Sequence, residues 1–187
     1  MFAKVESGSV KELLKGNKGF TANNNQYPAS VFTLWTEAER NAIGIYTVEI
    51  DNTNLKNTEW YVNTDITYAY DSSANKVKGT YGTAIAREIA DKTVDGVLEE
   101  GLKTIKKRIV DNECAQILAP SDWMATKAFE EGGDVESGWK TWRASVRTKC
   151  NAMQTAINNA SDVDALAALY VRNSEGVRPL GDFPVKE

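Results

Sequence analysis

The chain has 187 residues and a mass of 20.6 kDa, 42% of it apolar and 26% charged, which suits a globular protein with one sizeable core or two small ones. Its 22 basic and 26 acidic side chains leave a net charge of −4, against the basic surface that a nucleic-acid binder needs to displace counterions. Histidine is absent, which removes the usual general base, the commonest metal ligand and the ordinary pH switch together.

The first 83 residues are rich in Gly, Asn, Thr and Tyr, with short alternating apolar patterns. Phe2-Ala3-Lys4-Val5 followed by Ser7-Gly8-Ser9 predicts an edge strand or small hairpin, and Gly16 to Pro28 a loop. Thr36 with Glu39 three residues on has capping-box spacing, so a short helix is expected to run from Thr36 to Gly44. Ile45 to Ile50 alternates as a strand whose Tyr46, Val48 and Ile50 face should meet the core. Trp60 to Val62, Thr67 to Tyr70 and, after the loop Asp71 to Asn75, Lys76 to Tyr81 complete a small antiparallel sheet rich in tyrosine.

From residue 84 onward Ala, Glu, Lys and Leu dominate at helical spacing. Ile85, Ile89, Val94, Leu98, Leu102, Ile105 and Ile109, continued by Cys114, Ile117 and Leu118, predict one amphipathic helix from Ala84 to Leu118, with a break near Gly96 or Gly101 as the alternative. Pro120 ends it. Ser121 is expected to cap a helix reaching Glu131, Gly132-Gly133 to stop that helix, and a further helix to span Ser137 to Asn159. Ser161 is expected to cap a last short helix, and Arg178 to Glu187 to be an extended tail. The expected fold is α+β, a β-rich module over 1–83 followed by a helical module over 84–187.

Nothing in the chain assembles into an expected catalytic, cofactor or metal site. The pairs Glu99-Glu100 and Glu130-Glu131 read as solvated helix charge, and the run Lys103, Lys106, Lys107 and Arg108 as a face paired with Glu99 and Glu100. Cys114 and Cys150 are too few for a disulfide framework and read as reduced core thiols, while Cys150 has no histidine to activate it. No apolar run is long enough for export or for a membrane span, so the expected site of the protein is a cytoplasm, or a larger assembly leaving it. Tryptophan is what stands out. Trp123, Trp139 and Trp142 fall within 20 residues, followed by Arg143 and Arg147, and Trp and Arg dominate protein-binding hot spots. Trp123 is expected to fill the core of the helical module, with Trp139 and Arg147 partly exposed.

The same residues carry a likeness. Lys107-Arg108, Ile117-Leu118-Ala119, Ser121-Asp122-Trp123, an acidic glycine loop and Trp139-Lys-Thr-Trp142-Arg143-Ala-Ser-Val-Arg147 resemble the C-terminal region of bacteriophage tail assembly chaperones, with Trp142 where tyrosine is common in that family. The ending Gly181-Asp182-Phe183-Pro184 is similar to the Phe-Pro ending of many members. The likeness is good over 102–147, patchy beyond and weak before residue 83. It implies a non-enzymatic phage protein that binds the tail fibre, or another tail or baseplate protein, and assists fibre folding, trimerisation or attachment. The alternative it implies is a permanent virion component linking fibre to baseplate. Trp123, Trp139, Trp142, Arg143 and Arg147 would be the partner-binding residues, the long helix a place for self-association, and the host cytoplasm, or the virion tail, the location.

Overall fold

The computed structural model describes residues 1–186, and the protein is an α+β chain with a β-rich N-terminal region and a helical C-terminal part. Contacts divide it into two compact units, Met1–Ile85 and the remainder from Ala86.

In the first unit β1 (Phe2–Glu6) and β2 (Ser9–Leu14) form a hairpin turned at Ser7-Gly8. The segment expected to be a loop holds a second hairpin, β3 (Phe20–Ala22) and β4 (Asn25–Tyr27). Asn23 and Asn24 both take positive φ there, and asparagine tolerates that conformation better than most residues. A short helix α1 (Val31–Leu34) precedes α2 (Glu37–Ala42), which starts with the expected capping box. The Thr36 N–H donates to Glu39 Oε2 at 2.7 Å and the Glu39 N–H to Thr36 Oγ1 at 3.3 Å. Strands β5 (Ile45–Asp51), β6 (Tyr61–Val62), β7 (Ile66–Asp71) and β8 (Lys76–Tyr81) follow.

The main sheet has the order β2-β1-β5-β8-β7. It is mixed rather than antiparallel, because β8 slots between β5 and β7 and runs parallel to β5. That places β1 in the interior of the sheet and leaves β2 and β7 as edges that curl toward each other. Both faces are buried, where only the Tyr46 face was expected to be. Ile45 pairs with Lys4 and shares its face with Phe2 and Leu14, so it is fully buried in a cluster with Phe20, Val31 and Phe32, where the Phe32 ring meets Phe2 at 4.8 Å and Phe20 at 5.0 Å. On the other face Tyr46, Val48, Tyr68 and Tyr70 cover Ala3, Val5 and Val77, while Ile50 remains 37% exposed near the end of its strand.

In the second unit the single helix expected from Ala84 does not form. β9 (Ile85–Ala86) lies at the division between the units, and β10 (Lys92–Val94) and β11 (Val97–Glu99) make a hairpin. Asp95-Gly96 is its turn, both residues at positive φ, so the glycine weighed as a helix break is a hairpin signal. The helix α3 runs over Leu102–Leu118. Gly101 precedes it because a Cβ there would strike the backbone of Ala90 at 2.3 Å. The opening donors of α3 are met by that same segment: Leu102 N–H donates to Glu88 O, Lys103 N–H to Ile89 O, and Gly101 N–H to Asp91 Oδ1 at 2.7 Å.

After a 3-10 turn (Ala119–Ser121) come α4 (Asp122–Glu130), α5 (Ser137–Asn159) and α6 (Val163–Ala168). Asp162, rather than Ser161, caps α6, its carboxylate accepting from the Ala165 N–H at 2.8 Å. The core is α3 against α5: Leu102, Val110, Cys114 and Leu118 face Val146, Cys150, Met153 and Ile157, with Val163 and Leu166 of α6 also buried. Leu102, Cys114 and Leu118 lie in the stripe as expected, but in the middle of α3 it falls one position on, with Lys106 and Val110 buried in place of Ile105 and Ile109, and Ile109 is 42% exposed. Lys106 takes the interior place. Its stem is buried and its ammonium sits 4.9 Å from the Tyr170 ring centroid, a cation–π contact that offsets desolvation. The expected pairing of the basic run is met in part: Arg108 binds Glu100 at 2.6 Å, whereas Lys103 donates to Asn158 O and Glu99 lies in a strand beside Lys92.

The capping box supplies a pH test. Glu39 is held below its ordinary value of 4.5, first by the Thr36 N–H and then by the Thr36 hydroxyl. A depressed folded value contributes stability above the ordinary one and loses it as pH falls through the folded value. The urea midpoint of the protein should therefore exceed that of Glu39→Gln at neutral pH, and the gap should close as the pH drops below 4.5.

Candidate partner-binding surface

The turn between α3 and α4 is shaped by one buried cation. Arg143, on α5, is 6% exposed and donates to Leu118 O at 3.0 Å, to the Ser121 hydroxyl and to Asp122 Oδ1 at 2.5 Å. Ser121, 1% exposed, does not cap α4 through its side chain; its hydroxyl donates back to Leu118 O at 2.8 Å. Leu118 O is thus bound twice, and the chain is fixed where it leaves the α3–α5 core. Arg143 was expected at a partner surface. The structure corrects that: its guanidinium is used internally, on the last carbonyl of α3, the buried Ser121 hydroxyl and the Asp122 carboxylate.

Held this way, α4 buries none of its residues. Trp123 is 57% exposed, which overturns its expected place in the core, and Phe129 is 88% exposed, a residue the sequence reading passed over. Trp139 and Trp142 on α5 are half-buried and meet edge to face, centroids 5.5 Å apart. The Trp142 indole N–H donates to Pro184 O at 3.1 Å and Lys149 to Leu180 O at 2.9 Å, so the C-terminal segment is laid along α5 with Leu180 buried. Arg147 is exposed. Of the five expected residues, Trp123 and Trp139 are brought together, lining an open groove of about 310 Å³ with Met124, Ala128 and the carboxylate-bearing loop before α5. Trp142 belongs to the neighbouring surface with the tail, and Arg147 lines neither. Phe129, six residues after Trp123, lies on another face of α4 and carried no periodic signal in the sequence.

The thiols lie elsewhere, in the α3–α5 core. Both cysteines are buried and free. Burial first, then the Cys114 thiol and the charge of Asp111, push Cys150 up to about 11, which leaves it a poor nucleophile. Among the described residues no helix is long and apolar enough to cross a membrane. The chain matches no family model, no curated protein and no solved structure.

Two outcomes follow from this geometry. Arg143→Ala should cost about 3 kcal/mol in urea unfolding, since it empties a buried site and removes the hydrogen bonds to Leu118 O, Ser121 and Asp122 together, whereas Trp123→Ala should stay within about 0.5 kcal/mol. Iodoacetamide at mildly alkaline pH should leave Cys114 and Cys150 unmodified in the folded protein and label both in urea; rapid labelling without denaturant would contradict the buried placement.

Proposed function

We propose that the protein is a non-enzymatic bacteriophage tail protein that binds the tail fibre and assists its folding, trimerisation or attachment, with α4 and the start of α5 as its contact surface. The observation that carries this reading is α4 itself, a helix that buries no side chain yet presents Trp123 and Phe129 to solvent. Large exposed aromatics on one element are costly for an isolated chain and mark protein-contact sites. The likeness of residues 102–147 to tail assembly chaperones supports the same reading, and names a fibre as the partner.

Trp123 and Trp139 are the central contacts in this reading, Trp142 and Arg147 the flanking ones. A fibre under assembly offers unpaired strand edges and apolar surface that such a helix can shield. The test is co-purification of the protein with the tail fibre of the same phage, together with mass spectrometry of purified particles. Wild-type protein should hold the fibre, and Trp123→Ala should weaken the complex about tenfold, the loss of one hot-spot side chain. Absence from particles would make it a transient assembly factor, and a fixed ratio to the fibre a lasting tail component. Failure to hold the fibre would refute the reading.

A further inference from the structure

We infer that Cys114 and Cys150 form a disulfide site: while the α3–α5 seam is open, a small-molecule disulfide such as oxidised glutathione converts the two thiols into one covalent bond between the helices. The inference concerns the helical core and is independent of the partner-binding reading.

Antiparallel packing sets the register. Arg143 reaches Leu118 O at 3.0 Å, Cys150 Sγ lies 3.7 Å from Asp111 Oδ1, and Lys103 reaches Asn158 O at 2.8 Å, so the two helices run past each other with one constant offset. Cys114 follows Asp111 by three residues, nearly one helical turn, and belongs to the inward stripe with Val110 and Leu118. Cys150 lies in the facing stripe between Val146 and Met153. The thiols therefore meet inside the seam: both are buried, and the Cys114 thiol is within hydrogen-bond reach of Cys150. They are the two cysteines of the whole chain, so neither has another thiol to pair with in the same molecule.

The surroundings accept the bond. A disulfide carries no charge and no donor, and it asks thiols already in contact to close to about 2 Å. Met153, next along the α5 stripe, is unbranched and can follow the shift. Asp111 loses the Cys150 thiol but keeps the Gln154 amide, which donates to the same Oδ1.

The reaction is a pair of exchanges. One cysteine thiolate attacks oxidised glutathione, which forms a mixed disulfide and releases one glutathione thiolate; the other cysteine thiolate then attacks the mixed disulfide and releases the second. The cysteines give up two protons and two electrons, and the glutathione disulfide takes them up as two thiols. Burial holds the Cys150 thiol protonated in the closed seam, so the exchange belongs to the chain as it folds. Once the seam closes over the bond, the same burial keeps reductants out. The bond closes segment 114–150, which holds the 3-10 turn, α4 and the start of α5. Cross-linking a loop of that length mainly restricts the unfolded chain, so bond and fold favour each other.

The test refolds the full chain from urea in a glutathione redox buffer, quenches with acid, alkylates in urea and weighs the product by mass spectrometry. The product should be a monomer lighter by two hydrogens and free of alkyl label, with a digest peptide joining Cys114 to Cys150. Varying the ratio of reduced to oxidised glutathione gives the equilibrium constant of the bridge, which should be about 100-fold larger in buffer than in urea. The bridged protein should melt about 10 °C above the reduced one. Thiols left alkylated or capped by glutathione, disulfide-linked dimers, a constant no larger in buffer than in urea, or a lower melting temperature for the bridged form would overturn the inference. No substitution is needed, so a variant that fails to fold does not obscure the result.

Discussion

The packing of α3 on α5 is the interaction on which the helical unit depends. The two helices run antiparallel, with Leu118 near Arg143 at one end and Lys103 near Asn158 at the other. On α5 the buried positions 143, 146, 150, 153 and 157 alternate steps of three and four, the spacing that keeps a seam facing its partner. Val146, Met153 and Ile157 are essentially out of solvent, and each such side chain contributes about 1.5–3 kcal/mol through burial. That seam is filled by residues of α3, α5 and α6, and none of the fully buried side chains comes from α4. The exposure of Trp123 and Phe129 is a consequence of a core completed without them.

Arg143 turns this into a defined geometry. A buried cation is costly unless its donors are used, and here they hold the last carbonyl of α3, the hydroxyl of Ser121 and the carboxylate of Asp122 at once. The exit from α3 is thereby given one direction. Preorganisation of that kind lowers the ordering cost that a contact surface meets when it binds. The string Ser121-Asp122-Trp123 followed by Trp139 to Arg147 thus contains two kinds of residue. Ser121, Asp122 and Arg143 build the turn, and Trp123 and Trp139 face outward from it.

The N-terminal unit solves a different problem, covering two faces of one small curled sheet. Its outer cluster is aromatic, with Phe2, Phe20, Tyr27, Phe32 and Trp35 in successive ring contacts, and its inner face is roofed by tyrosines standing over Ala3 and Val77. Further along β5, on the face that Ile45 shares, Lys76 of β8 binds Glu49 and Lys78 binds Asp51 at 2.9 Å. These exposed pairs add little stability.

What the sequence by itself determined is the local architecture. The Thr36–Glu39 box, the strand at Ile45, the hairpin turns and the helix from Ser137 to Asn159 follow from capping, alternation and periodicity, which depend on neighbours within a few residues. The hairpin at Asp95-Gly96 was also written there, hidden by apolar residues that happen to recur at helical spacing in the exposed strands around it. Only the tertiary structure decided the sides. Whether Ile45 or Ile50 lies in the core depends on which strands flank β5, and whether Trp123 fills a core or faces solvent depends on Arg143, 20 residues away in the chain, closing the turn before it. Periodicity marks a residue as apolar and places it on a face. Which face is covered is set by partners distant in the chain, and a single sequence does not record where they come to rest.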